Sequence, residues 1–380
     1  MIQRPDPRFM FRDQELARVA HVLAQGQSVL LVGIRRTGKT QLMKAALQQQ
    51  AAIGPVVYLD VSDQIHLQSF YRSLLQALPK GLMQRAVDAI KTAGKLPDAL
   101  LKWLRSHVDK AEVLGQSIDF NPPGDLLQRY WEPVAEAVLT AAQQESDPAR
   151  LPVIGIDELP FMLQNLLDRQ VSVADITVAL ATLRKLRDAG LRMIIGGSIS
   201  MENLLTLHHI PHTVLGGLKR EVVRPFTREE AQAYLSKHLA ARPALAAIST
   251  ALDALPDHVP DFLDECCRFL RPLQQASDVT HAMDDLVLPA IRRSFVRQFE
   301  ERLAKFYLGA ELASAEAILD QLACSPASGG RLDGSQLPAG YQTVLVKLQF
   351  DMFVDEAQGY DWRFSLNVLR QWWRATRGIA

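Results

Sequence analysis

The sequence predicts an α/β chain: a parallel sheet with helices on both faces, followed by a largely helical part. Three observations carry this. Short apolar runs rich in branched residues alternate with helix-forming stretches as far as residue 226. A glycine-bounded loop lies between the first such run and a strong helix former. From residue 228 to 320 no strand-like run is left.

Taken in order, residues 11–25 place Leu16, Val19, Ala20 and Leu23 at helical spacing. SVLLVG (28–33) stops at a glycine and reads as a buried parallel strand. From Lys39, KTQLMKAALQQQ is a strong helix former. A second strand is expected at 55–62 and a helix near 66–78. Residues 79–125 look helical in two pieces and then run into a proline-bearing loop, SIDFNPPGD (117–125). They read as an insertion in the first domain. A helix over 126–144 leads to a third strand, PVIGIDE (152–158), which ends in two acids. An amphipathic helix over 174–189 stops at Gly190. A fourth strand, RMIIGGS (192–198), and a short fifth, REVVRPF (220–226), complete the alternation. Thr227 and Glu230 form a helix-start box.

Composition bounds what such a chain does. With 380 residues, it is long enough for two or three domains. Its 42 basic and 42 acidic side chains cancel, which excludes a globally basic nucleic-acid coater but not a local basic patch. Cys266, Cys267 and Cys324 make neither a zinc spacing nor a disulfide framework. The N-terminus lacks an apolar core of signal-peptide length, and no run reaches the ~18 apolar residues of a membrane span. The expectation is a cytoplasmic protein with no membrane partner.

GIRRTGKT (33–40) fits G-x-x-x-x-G-K-[ST], a phosphate-binding loop. Gly33 and Gly38 allow backbone angles that turn several N–H groups toward one point, and the helix that follows adds its positive end. Lys39 reaches the β- and γ-phosphates, and the Thr40 hydroxyl faces Mg²⁺. A chance match somewhere in the chain has odds of roughly one per cent at average residue usage. The candidate ATP-binding residues are Gly33, Ile34, Arg35, Arg36, Thr37, Gly38, Lys39, Thr40 and Gln41. The two arginines either touch phosphate or face a partner or solvent.

A magnesium–nucleotide site also needs an acid at the end of a nearby strand. Asp157 stands there as the second metal residue, and Glu158 is placed to polarise an attacking water. The other reading makes the pair a cap for the helix near Pro160. Ser198 ends the fourth strand, where a polar side chain contacts the γ-phosphate or the water; it is also a suitable cap for a helix over 199–207. Arg220, with Arg224 behind it, is the candidate for stabilising transferred charge, unless it pairs with an acid such as Glu221.

Together the RRTGKT loop, VIGIDELP, IIGGS and the L-K-R…R-P-F-T-R-E-E-A segment resemble the archaeal-type ATPase family among the STAND and AAA+-like P-loop ATPases. The FRDQEL opening resembles the start of many such domains, although no glycine separates Phe11 and Arg12. The resemblance covers residues 9–235 well. It implies a P-loop NTPase of the ASCE type with a five-stranded sheet in the order 5-1-4-3-2, a helical lid and often a C-terminal winged helix. It also implies that Lys39, Thr40, Asp157, Glu158, Ser198 and Arg220 hold the phosphate, magnesium, acid-pair, sensor and arginine places. Where family members often have a glycine pair before a lid proline, this chain reads LPDHVP (255–260).

The expected domains are an ATPase domain at 1–227, a lid at 228–305 and a winged-helix-like domain at 306–380. The last would use helix 341–356 for recognition, with Gln342, Lys347 and Gln349 beside Asp351, and a turn at Gln358–Gly359. Arg370, Arg374 and Arg377 lie beside Trp372 and Trp373, a set that either touches nucleic acid or seals a small domain. The function expected is a Mg-dependent ATPase that switches a protein partner or its own assembly. The alternative is a DNA-associated ATPase, serving mobile elements or phage defence, on duplex DNA.

Overall fold

The computed structural model describes residues 10–93, 96–109, 126–239, 245–273, 278–325, 332–333, 337, 339–356 and 361–379. The chain divides into two compact units: Met1–Val32 with Lys39–Val222, and Gly33–Gly38 with Val223–Ala380.

The first unit runs α1 (Asp13–Ala24), β1 (Ser28–Val32), α2 (Lys39–Gln50), β2 (Val56–Asp60), α3 (Leu67–Ala77), α4 (Lys80–Ala93), α5 (Asp98–Asp109), α6 (Leu126–Arg129) and α7 (Trp131–Gln143). It continues with β3 (Val153–Asp157), α8 (Leu159–Asp168), α9 (Val173–Asp188), β4 (Arg192–Gly196), α10 (Met201–Leu207) and β5 (Leu218–Val222). The five strands are parallel in the order β2-β3-β4-β1-β5, which is the expected 5-1-4-3-2 read from the other edge. β3 is buried along its whole length and β4 in all but its first residue, as a central sheet covered on both faces requires.

β5 begins and ends earlier than the expected 220–226: it follows Gly216–Gly217 and stops at Val222, short of Pro225, which has no N–H for a ladder. The helix expected over 126–144 is interrupted at Tyr130. Of the insertion, α4 and α5 join the core: Leu82, Met83, Ala86, Val87 and Ile90 belong to one buried cluster with Val134, Val138 and Ala141 of α7. The proline-bearing loop 117–125 lies outside the described residues.

Two glycines set the height of α2 over the sheet. A side chain on Gly155 of β3 would meet Leu47 Cδ1 at 2.7 Å and Met43 Sδ at 3.0 Å; one on Gly196 of β4 would meet Met43 Cε at 3.0 Å. With hydrogen in both places, α2 packs directly on β3 and β4, and its first turn comes down to their carboxyl ends.

Among the described residues from 228 to 324, the regular elements of the second unit are helices: α11 (Arg228–His238), α12 (Leu245–Ala254), α13 (Pro260–Leu270), then α14 (Val279–Ala282), α15 (Leu288–Ile291) and α16 (Arg297–Phe306) with π-turns between them, and α17 (Ala310–Cys324). Thr227 caps α11 in a full capping box with Glu230. Next come β6 (Leu332–Asp333), α18 (Ala339–Phe350), β7 (Val354–Glu356), β8 (Asp361–Phe364) and α19 (Asn367–Arg377). The strands form an antiparallel sheet in the order β6-β8-β7. The helix expected to run to Glu356 stops at Phe350, because Met352 takes a left-handed conformation (φ 61°), and the chain turns into β7. The turn at 358–359 lies outside the described residues.

One aromatic row ties this unit together. Phe262 packs edge-on against Phe295 (centroids 4.9 Å apart), Phe295 lies tilted against Phe299 (5.3 Å), and Phe299 packs edge-on against Phe353 (5.2 Å), with Tyr307 beside Phe353 (6.2 Å). All five are fully buried. The row runs from α13, in the stretch expected to be a lid, to the residue before β7, in the stretch expected to be a winged helix.

Candidate active site

Each end of the phosphate loop depends on glycine. Gly33 has φ 148°, and a first side-chain carbon there would stand 2.5 Å from the Val223 carbonyl oxygen. Gly38 has φ 95° with nothing within 4 Å of where a side chain would begin, so the loop is open on that side. Between them Ile34 is buried, and Thr37, fully buried, donates its hydroxyl to the Ile34 carbonyl at 2.8 Å. Arg36 adopts a left-handed conformation (φ 70°) with its guanidinium 2.6 Å from Asp261 of α13. Arg35 is exposed; Gln41, in the first turn of α2, is half-buried.

At the start of α2, Lys39 is buried although charged. Thr40 hydrogen-bonds the Asp157 carboxylate at the end of β3. Asp157 is 3 % exposed. Its Oδ1 accepts the Glu158 amide at 3.1 Å and its Oδ2 accepts the Tyr58 hydroxyl at 3.0 Å. Burial pushes the Asp157 pKa above the ordinary carboxylate value; the bonds from Thr40 and Tyr58 pull it down, and the Glu158 and Asp60 charges add to the rise.

Glu158 has φ 60° and ψ 28°, a left-handed conformation that costs a non-glycine residue roughly 1–2 kcal/mol. The twist ends β3 and starts α8. It accompanies a carboxylate held by Ser198: the Ser198 amide (3.0 Å) and hydroxyl (2.9 Å) both donate to Glu158 Oε2. The capping role considered for Ser198 falls instead to Ser200, whose side chain accepts the Asn203 amide ahead of α10. Glu158 makes no side-chain cap on α8.

Arg220, on β5, lies 3.9 Å from Glu202, a long pairing. The acid suggested as its structural partner, Glu221, is taken by Arg18 at 2.7 Å. Arg224 is bound to Asp355 of β7 at 3.0 Å. The first unit thus brings Lys39, Thr40, Asp157, Glu158 and Ser198 to the carboxyl ends of neighbouring strands, which is where open α/β sheets bind ligands.

Tyr58 was not legible as a site residue. Its backbone pairs with Gly155, two residues before Asp157 and on the same face of β3. An aromatic side chain opposite a glycine reaches the diagonal neighbour, and this spacing is the signal that register would have supplied.

These residues fit a magnesium–nucleotide complex. Mg²⁺ binds through one or two protein oxygens and substrate phosphates rather than a protein cage. Among the described residues Thr40 and Asp157 supply such a pair, and no group of three or more His, Cys, Asp or Glu could hold a metal.

Six of the residues that suggested nucleic-acid contact are engaged within the second unit, while Gln342 is exposed. Lys347 is buried, donating to the Phe306 carbonyl (2.7 Å) and to Glu311 (2.8 Å). Asp351 accepts the Tyr307 hydroxyl at 2.9 Å. Trp372 and Trp373 donate to Glu300 and Asp320, Arg377 pairs with Glu316 at 2.8 Å, and Arg370 donates to the Ser325 carbonyl.

The five-stranded parallel sheet and the glycine-bounded loop between β1 and α2 define an α/β fold of the P-loop NTPase kind. The chain is similar along 98 % of its length to 98 % of a Walker-type ATPase of Pyrococcus abyssi, with a TM-score of 0.60 and 16 % identity. It also matches the ORC2 protein of Aeropyrum pernix, in ADPNP–ADP complexes, over 98 % of this chain and 96 % of that one, with a TM-score of 0.47 and 11 % identity. No protein-family profile and no curated protein sequence matches it. Among the described residues no helix is long and apolar enough to cross a membrane.

Proposed function

We propose that this protein is a Mg-dependent ATPase acting as a nucleotide-driven switch on a macromolecular partner. The observation that carries the reading is the chain of contacts from Thr40 through Asp157 to Glu158 and Ser198. It joins the start of the phosphate-loop helix to the acid strand and to the neighbouring strand.

In this reading the loop amides and the first turn of α2 hold the phosphates, and Lys39 balances their charge. Thr40 and Asp157 hold Mg²⁺, which when bound supplies charge neutralisation at the phosphates. Ser198 fixes one oxygen of Glu158, leaving Oε1 to accept a water proton and orient that water for attack. Arg220, on β5 and 3.9 Å from Glu202, is the candidate to meet developing charge. If it does so in a neighbouring chain, self-association is part of the switch.

We assign residues 1–227 to the ATPase domain, 228–305 to a lid and 306–380 to a winged-helix-like module. The strand order β6-β8-β7 with α17, α18 and α19 supports the last assignment. Duplex DNA is the less favoured partner, since Lys347, Arg370 and Arg377 are committed inside the unit. A protein partner or a second copy of the chain is preferred.

The test is phosphate release from Mg·ATP together with calorimetry of nucleotide binding. Lys39→Ala is expected to abolish measurable binding. Glu158→Gln is expected to keep binding and to lose hydrolysis by about 100-fold or more. Hydrolysis undiminished in both variants would end the reading.

A further inference from the structure

We infer that Tyr58 is a positioning residue for the metal-binding carboxylate, acting through Asp157 to set the affinity of the site for Mg²⁺. The inference deepens the ATPase reading and rests on it.

Tyr58 comes from β2, the edge strand beside β3, and reaches the site from the side opposite Ser198's strand. Its hydroxyl donates to Asp157 Oδ2 at 3.0 Å, while the Glu158 amide holds Oδ1 at 3.1 Å. A carboxylate on a strand end turns about two side-chain bonds. One donor on each oxygen fixes its plane, and the Thr40 hydroxyl meets that fixed plane. The phenol is itself held in place. Lys44 of α2 sits 4.7 Å from the centre of its ring, and the strand register pairs Tyr58 with Gly155 of β3.

A purely structural role would need only that a half-buried hydroxyl find some acceptor. The choice of acceptor argues for more. Carboxylates that ligate metals depend on outer hydrogen bonds for orientation, and loss of one typically costs 10–100-fold in metal affinity. Here that outer bond comes from a side chain on a neighbouring strand.

The experiment measures ADP affinity of the full chain by calorimetry, in EDTA and across a Mg²⁺ titration, for the wild type and Tyr58→Phe. Phenylalanine keeps the ring under Lys44 and removes only the donor. The expected result is an affinity in EDTA unchanged within about twofold, which also shows that the variant is folded, and a Mg²⁺ requirement raised by about tenfold or more. An unchanged Mg²⁺ requirement would overturn the inference and leave the ATPase reading intact. So would an equal loss of affinity with and without Mg²⁺, which would make Tyr58 a support for the fold or the nucleotide. If the wild type binds no ADP in either condition, both readings fall together.

Discussion

At the scale of single residues, the site is organised by what the acids are tied to. Glu158 is held in a strained backbone conformation with one oxygen taken twice by Ser198. Strain of this kind persists only where surrounding contacts over-determine it. The hydroxyl half of that grip is removable. Ser198→Ala is expected to lower kcat by about tenfold with little change in KM, because a hydrogen bond to a charged group is worth roughly 1.5–3 kcal/mol and the Ser198 amide remains. Steady-state phosphate release checks this, and an equal rise in KM with kcat unchanged would contradict it. Much of the site was readable beforehand, because a loop of fixed spacing and an acid pair at a strand end are local patterns: Gly33, Gly38, Lys39, Thr40, Asp157 and Glu158 all lie where pattern placed them. What pattern could not supply were partners across the sheet. Tyr58 is 99 residues from Asp157 in the chain, and only strand register brings them together. The capping of α10 by Ser200 rather than Ser198 also escaped, since two serines two residues apart are equivalent until the helix start is known.

At the scale of elements, the start of α13 gathers two grips. Asp261, in its first turn, holds Arg36 of the phosphate loop, and both side chains are partly exposed at 27 % and 36 %. Such a pair adds little to stability, about 1 kcal/mol at most. Its charge matters more, because a carboxylate beside a phosphate loop opposes an incoming anion. Asp261→Asn is expected to raise ATP affinity several-fold and to shift stability by less than about 0.5 kcal/mol, measured by calorimetry and urea unfolding. Just ahead of α13, Asp257 accepts the first two amides of α19, Asn367 at 2.9 Å and Val368 at 2.8 Å. Burial lifts its carboxyl to about 7, against the pull of those amides. The value in the unfolded chain is about 3.9, so between the two the folded state holds the extra proton. The stability this group contributes is present in full below about pH 4 and is lost as pH rises through 7. Asp257→Asn is expected to flatten that part of the stability–pH curve, followed by urea midpoint. Unlike the local motifs, this device was hidden because LPDHVP departs from the expected lid pattern and its partner lies 110 residues away.

At the scale of the whole molecule, length and the alternation of strands and helices were enough to foresee the sheet, and the family resemblance supplied its order. The insertion was harder, because α4 and α5 carry no motif and gain their place by burial, α4 against α7 and α5 against α4. The aromatic row of the second unit likewise has no signature, since Phe262 and Phe353 are far in the chain from the Phe295 and Phe299 pair. Phe299 touches two rings of the row. Phe299→Ala is expected to destabilise the second unit by about 3–5 kcal/mol, seen as a lowered denaturation midpoint. Saturating Mg·ATP, at about 100 times its Kd, is expected to stabilise the wild type by about 2.7 kcal/mol and to do nothing for Lys39→Ala. The six residues Gly33–Gly38 belong to the second unit although they lie within the first third of the chain. A gene cut after codon 222 therefore yields no self-sufficient half: one fragment carries a loop stripped of its companions, and the other lacks six residues that belong to it, the buried Ile34 and Thr37 among them. Mapping work on this protein should rely on point substitutions, because excision would remove the property it sets out to locate.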